Sequence, residues 1–241
     1  MLEGLIKTGD YSFRCFGAAL KHSDYNILTV NEDFIIKPID GFGTKEMIRV
    51  ALASERPDLL LLFTDPRFFM HIFDMEDEIH QTCPIAYWNI WDNYPVPTFN
   101  KVLYQSCDLL NCISWITYDM VKTMVPDRTN FIPHTLPQDI FYPISEVEQK
   151  KYRKQLLGEG RMDHLVGLWI NRNAKRKRPN DLLESWKLFL DELERKHGHR
   201  KATLILHADP LDQEGPNLFA TCEHFGLMNN IFFSKDRLEF D

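Results

Sequence analysis

The sequence predicts an α/β protein of two units, each a sheet of parallel strands covered by helices. Three observations predict it. Short apolar runs of strand length alternate with stretches of helical period along most of the chain. Three prolines, Pro133, Pro137 and Pro143, followed by the polar stretch Glu146–Lys154, mark an extended crossing that divides residues 1–143 from 144–241. Beyond that crossing, Leu165 to Leu193 reads as a strand, a basic loop and a helix.

In order, Met1–Lys7 has the pattern of a short helix closed by Thr8-Gly9, and Tyr11–Phe16, Asn26–Val30 and Phe34–Ile39 are strand-like. Gly41-Phe42-Gly43 breaks the chain. Thr44 caps a helix whose apolar positions are Met47, Ile48, Val50, Ala51 and Leu52, and Arg56-Pro57 ends it. Asp58–Phe63 reads as the clearest buried strand of this half, with Phe68 to His80 as a helix after it. Pro84–Asn89 is a strand, Phe99–Ser106 a helix, Asp108–Ser114 a strand, Tyr118–Met124 a helix and Asn130–Ile132 a last strand. Ligands of such sheets lie beyond the carboxyl ends of the strands, which is where Asp65, Trp91 and Asp92 fall.

Each of these has a plainer reading beside the functional one. Asp65-Pro66 serves equally well as a helix cap. The aromatics of Trp88–Tyr94 can pack in a core, but Asn89, Asp92 and Asn93 interleave with them. Aromatic faces beside amides and carboxylates suit a sugar ring. His134 reads as a loop histidine rather than a catalyst.

In the second half, Leu165–Ile170 is apolar without alternation, so both faces are expected to be buried. Leu182, Leu183, Trp186, Phe189, Leu190 and Leu193 then share one helical face, starting at Pro179 and Asp181. A strand (Ala202–His207), a loop with Gly215-Pro216, a helix (Asn217–Phe225) and a strand (Asn230–Phe233) follow, with Gly198 and Gly226 as helix-ending glycines. Lys235–Asp241 looks like the lead into a further helix, so the second sheet is expected to be incomplete. Between Leu165–Ile170 and the helix starting at Pro179 lie Arg172, Lys175, Arg176, Lys177 and Arg178. A basic loop emptying into a helix N-terminus is a place to hold phosphate, although it also serves as a solvated turn.

Composition narrows the partners. The formal net charge of −7 argues against general attraction to nucleic acid or an anionic membrane, so the basic loop is a local exception suited to a small anion. Nucleic-acid binding through Lys175–Arg178 is accordingly disfavoured. The five cysteines are scattered and odd in number, with no C-x-x-C, and read as buried thiols in a reducing compartment rather than a disulfide frame or zinc site. No apolar run approaches the ~18 residues of a membrane span, and no leader is evident, so a cytoplasmic protein is expected.

Three stretches resemble the GT-B glycosyltransferases, specifically the large retaining family 4. Phe131-Ile-Pro-His-Thr-Leu-Pro-Gln-Asp-Ile-Phe-Tyr-Pro143 is similar to that family's interdomain segment. Asn171-Arg172-Asn173-Ala-Lys-Arg176-Lys177-Arg-Pro with Asp181-Leu-Leu-Glu-Ser-Trp-Lys187 resembles its strand–loop–helix. Ala202–His207 with Gly226-Leu-Met-Asn-Asn-Ile-Phe-Phe233 resembles its next pair of strands, and Pro84–Asn93 looks like an acceptor-side signature of a subgroup. The resemblance implies two Rossmann-like domains facing a cleft and transfer of a sugar from a nucleotide-diphosphate donor. The acceptor it leaves open as glycan, lipid, protein or small molecule. It also implies no cofactor or metal. The family's arginine and the lysine five positions later match Arg172 and Lys177, which implies that these two hold the departing diphosphate. Asn173 and Arg176 in the same loop, and Asp65, Asn89, Trp91 and Asp92 across the cleft, become substrate-binding candidates.

This chain also departs from the pattern. Asn171 replaces a glycine before the arginine, and Asn89 or Trp91 occupies the place of a usual histidine. The family's first strand and glycine-rich loop would precede Met1, and its Glu-x7-Glu region would follow Asp241. The resemblance therefore implies the middle of a longer enzyme, and a non-catalytic nucleotide- or phosphate-binding module is the alternative.

Overall fold

A computed structural model describes residues 1–18 and 25–234. Its contacts divide the chain into Met1–Ile140 and Phe141–Asp241, a boundary inside the proline-marked crossing. The expected lead into a helix at Lys235–Asp241 lies outside the described residues.

The first unit opens with helix α1 (Leu2–Ile6) and strands β1 (Phe13–Gly17), β2 (Leu28–Asn31) and β3 (Phe34–Pro38). These form a three-stranded sheet in the order β1-β3-β2. It is not purely parallel, as the sequence suggested. β1 runs parallel to β3, but β2 and β3 are antiparallel. Only two residues, Glu32 and Asp33, connect β2 to β3, and so short a link permits only a hairpin. The Asp33 amide donates to Asn31 Oδ1 at 2.9 Å within that turn.

Helix α2 (Lys45–Glu55) starts as expected, with the Thr44 hydroxyl accepting from the Met47 amide, and ends at Arg56 in the left-handed region. Ile48 and Leu52 are buried, whereas Val50 is 66% exposed because two residues along a helix turn about 200°. Strand β4 (Leu60–Thr64) begins a second sheet with β5 (Ile85–Asn89), β6 (Leu109–Cys112) and β7 (Thr129–Phe131), all parallel, in the order β4-β5-β6-β7.

The connections carry α3 (Met70–Phe73), α4 (Glu76–His80), α5 (Lys101–Gln105) and α6 (Trp115–Lys122). The most buried strand is β5, not β4 as its leucine run suggested. At the edge of the sheet only Leu62 of β4 is buried and Phe63 is 49% exposed. The continuous helix expected over Phe68–His80 is instead a 3₁₀ turn (Pro66–Phe69) followed by α3 and α4. The break lets Phe73 and Met75 both enter the core, which a continuous helix would point apart.

The second unit begins with α7 (Glu146–Leu157), capped reciprocally by Ser145 and Glu148 and without a buried residue. Strands β8 (Leu165–Ile170), β9 (Ala202–His207) and β10 (Ile231–Phe233) form a parallel sheet in the order β10-β9-β8, with α8 (Pro179–His197) and α9 (Leu218–His224) in the connections. Leu183 and Leu190 of α8 are fully buried, and Trp186 packs over Gly167. A Cβ at Gly167 would lie 3.2 Å from Leu204 and 3.4 Å from Trp186. The expectation that β8 is buried on both faces is corrected. It is an edge strand whose Gly167 and Trp169 pack toward α8 and its neighbours, while Leu165, Leu168 and Ile170 are exposed. Gly198 and Gly226 close α8 and α9 with positive φ, 70° and 67°.

At the amino end of the four-stranded sheet, Asp108 accepts from the Ile85 amide at 2.8 Å and bonds the His80 ring at 2.9 Å. Partial burial opposes ionisation of this carboxyl. The Ile85 amide, the His80 ring and the Arg128 charge outweigh it and hold the group below the usual aspartate range. A depressed carboxylate contributes stability above its unfolded pKa and loses it as pH falls through the folded value. Asp108→Ala should therefore lower the urea midpoint at pH 7, with the gap to wild type closing toward pH 2–3. A gap of constant size at all pH values would show that the carboxylate charge is not the cause.

Candidate functional site

The candidate residues of the first unit gather at the carboxyl ends of β4 and β5. Thr64 is paired in register with Asn89, so the residues following each strand emerge side by side. Thr64 adopts a φ of 142°, rare for a β-branched residue, and the buried Tyr87 hydroxyl donates to its carbonyl at 2.5 Å. Asp65 follows. One of its oxygens accepts from the Arg67 amide at 3.1 Å and the other lies 3.4 Å from Arg67 Nε, so the carboxylate caps the 3₁₀ turn.

Asn89 is fully buried. Its Oδ1 accepts from the Trp91 amide at 3.1 Å and shapes the turn. Trp91 is half-buried, with its indole N–H on the Asn93 carbonyl at 2.7 Å and its ring edge-on to Phe99, centroids 5.7 Å apart. The Thr117 hydroxyl donates to the Trp91 carbonyl. Asp92 is exposed. His134 is exposed and its ring stacks on Trp88, with centroids 6.3 Å apart. Asp65, Trp91 and Asp92 are thus accessible at one edge, whereas Asn89 supports that edge from inside.

The basic loop of the second unit is built against the connection from β9 to α9. Arg172 is exposed, and it is not a lone cation. Its Nε and Nη2 fork onto Asp212 at 2.7 and 3.2 Å, and Nη2 meets Glu214 at 3.1 Å. The Asp212 hydrogen bond foremost, then Glu214, raises its pKa further, so it is charged throughout the working range. Asn173 is fully buried. Its amide nitrogen donates to the Pro216 carbonyl at 2.8 Å and the Pro210 carbonyl at 3.4 Å, so it staples the two loops together. The Lys175 amide adds a bond to the Glu214 carbonyl at 3.1 Å.

Lys175, Arg176 and Lys177 form a 3₁₀ turn and make no ion pair among the described residues. Arg178, in the left-handed region, pairs with Asp181 and turns the chain into Pro179, the first residue of α8. No side chain caps that 19-residue helix, leaving the Asn180 and Asp181 amides at its positive end beside the basic turn. The sequence does not single out Asp212 and Glu214, and it marks Gly215 only as part of a loop. Their only signal was two carboxylates and a glycine in a loop that topology brings against Arg172.

Other reactive groups are muted. Burial pushes the Cys107 and Cys112 thiols up to about 12, so neither supplies a thiolate at neutral pH. All five cysteines are free, and four are buried as expected, whereas Cys15 is partly exposed. Among the described residues there is no cluster of three or more His, Cys, Asp or Glu able to hold a metal ion, and no helix long and apolar enough to cross a membrane.

No family model and no curated protein matches the chain. Solved structures do match. HepE of Anabaena, in complex with UDP and glucose, is 15% identical with a TM-score of 0.58, over 82% of this chain and 55% of its own. An E. coli structure described as trehalose-6-phosphate bound with UDP-2-fluoro glucose is 9% identical with a TM-score of 0.57, over 90% and 65%. The α,α-trehalose 6-phosphate synthase of Burkholderia multivorans is 12% identical with a TM-score of 0.58, over 88% and 62%. The fold is therefore GT-B-like, with two α/β units built on parallel strands. This chain spans between about half and two-thirds of the length of those proteins.

The staple between the loops has a strict steric condition. A Cβ on Gly215 would lie 2.2 Å from Asn173 Oδ1 and 2.4 Å from its carbonyl oxygen. Gly215→Ala should push the loops apart and cost about 1–3 kcal/mol of stability. A lowered urea midpoint at unchanged slope would report this, and an unchanged midpoint would show that the loops are not held together in this way.

Proposed function

We propose that this chain carries the donor-phosphate grip of a glycosyltransferase that moves a sugar from a nucleotide-diphosphate donor to an acceptor. The observation that carries the reading is the loop Arg172–Arg178, which leaves the carboxyl end of β8 and opens into the uncapped N-terminus of α8. Such a site favours anions twice over, through side-chain charge and through the helix dipole. Bond cleavage in sugar transfer builds charge on the departing diphosphate. Fixed cations near that position stabilise the transition state more than the ground state.

In this reading Arg172 and Lys177 bind the diphosphate, Arg176 assists from the same turn, and the mechanism is metal-independent and retaining. Asn173 holds the loop rather than the ligand. The aromatic, carboxylate-bearing edge of Asp65, Trp91 and Asp92 serves the acceptor, whose class is a glycan, lipid, protein or small molecule. UDP is the nucleotide to try first, because HepE was solved with it. The free cysteines fit a reducing, cytoplasmic setting.

One observation favours a second reading, a nucleotide-binding module without turnover. Arg172 is already engaged by two carboxylates, so part of its charge is compensated before any ligand arrives.

Titration of UDP into the chain, with UDP-glucose turnover followed in parallel, tests both readings. Binding that weakens with salt and falls by at least about tenfold in Arg172→Ala/Lys177→Ala is expected, because two charge-assisted contacts are removed. Turnover favours the enzyme, and binding without turnover favours the module. Wild-type affinity in the double variant would remove the basis of both.

A further inference from the structure

Arg172 is a cation whose orientation the fold has already set. Asp212 takes Nε and Nη2 through its two oxygens at 2.7 and 3.2 Å, and Glu214 meets Nη2 at 3.1 Å. These contacts engage Nε and Nη2 of the guanidinium. Nη1 makes no hydrogen bond among the described residues. Arginine presents its donors as a rigid planar fork, so fixing one side fixes the direction of the other.

Asp212 is itself held in place. Its side chain is only 14% exposed, its Oδ1 accepts from the Glu214 amide at 3.0 Å, and its carbonyl accepts from the Gly215 amide at 3.0 Å. The loop that bears it is stapled to the buried Asn173 next to Arg172. The anchor is therefore more rigid than the side chain it anchors. A long side chain ordered beforehand loses less conformational freedom when it grips a ligand.

We propose that Asp212 is a positioning residue for the phosphate grip, holding Arg172 side-on so that its Nη1 edge is offered to a phosphate oxygen. This rests on the reading of the loop as a diphosphate site. The fork costs some local positive charge, but it leaves Lys175, Arg176 and Lys177 unopposed among the described residues. The opposite role, in which Asp212 competes with phosphate for Arg172, predicts the opposite sign of effect.

The test is a double-mutant cycle on the whole chain, read as the affinity for inorganic pyrophosphate by titration calorimetry, with urea midpoints confirming folding. Arg172→Ala and Asp212→Ala should each weaken binding about tenfold, and the double variant should be no weaker than Arg172→Ala alone, because a positioning residue acts on the phosphate through the arginine it orients. Asp212→Asn retains an oxygen for the Glu214 amide, and hence the loop, and should weaken binding as well. Effects that multiply in the double variant would show that Asp212 merely supports the loop, and would overturn the proposal. So would tighter or unchanged binding in both Asp212→Ala and Asp212→Asn. No pyrophosphate binding by wild type would overturn the reading of the loop itself, whereas wild-type binding with multiplying effects removes only the positioning role.

Discussion

Two loops of the second unit, 171–178 and 208–217, hold each other through Asn173. The geometry of the basic turn depends on that contact. Asn173 is buried with its amide nitrogen on the Pro210 and Pro216 carbonyls, and Gly215 closes against it with no room for a side chain. A buried N–H that has given up water must find an acceptor inside the protein, and here both acceptors of the Asn173 amide nitrogen lie on the opposite loop. The Lys175 amide and the Arg172 guanidinium then join the same loop at Glu214 and Asp212. The basic turn is therefore built on a stapled frame rather than hanging free from a strand end.

That frame changes the electrostatics of the loop. Four of its five cations lie within one short run, Lys175–Arg178, yet they differ in what they can offer. Arg178 is paired with Asp181 on the first turn of α8, and Arg172 with Asp212 and Glu214. Lys175, Arg176 and Lys177 carry charge not compensated among the described residues, and they do so where the amides of α8 point outward. The local field thus combines compact ammonium charges, one oriented planar fork and a helix dipole, a combination suited to phosphate oxygens. On a chain of net charge −7 this focus is local.

The first unit contributes a different kind of edge. At the carboxyl ends of β4 and β5 the backbone is drawn tight by Tyr87 on Thr64 and by Asn89 on Trp91, both from beneath the surface. Trp91, Phe99 and Asp92 stand above that support. Asn89 is fully buried beneath that edge, whereas Asp92 is exposed on it.

Period and punctuation alone determined the strand–helix alternation, the proline-marked crossing and the helix of Pro179–His197, because apolar spacing, prolines and terminal glycines act through local geometry. They also located the basic loop at a strand end and a helix start. Tertiary structure decided the rest. The leucines of β4 and β8 read as buried on composition, but both strands lie at sheet edges, and only neighbours distant in sequence determine which faces are covered. That Asn173, a substrate-binding candidate on sequence, also ties two loops together could not be read, since its partners lie about forty residues away. Arg172 was legible as a cation. That Asp212 and Glu214 hold it could not be read from the sequence, because a salt bridge depends on distance in space and leaves no periodicity along the chain.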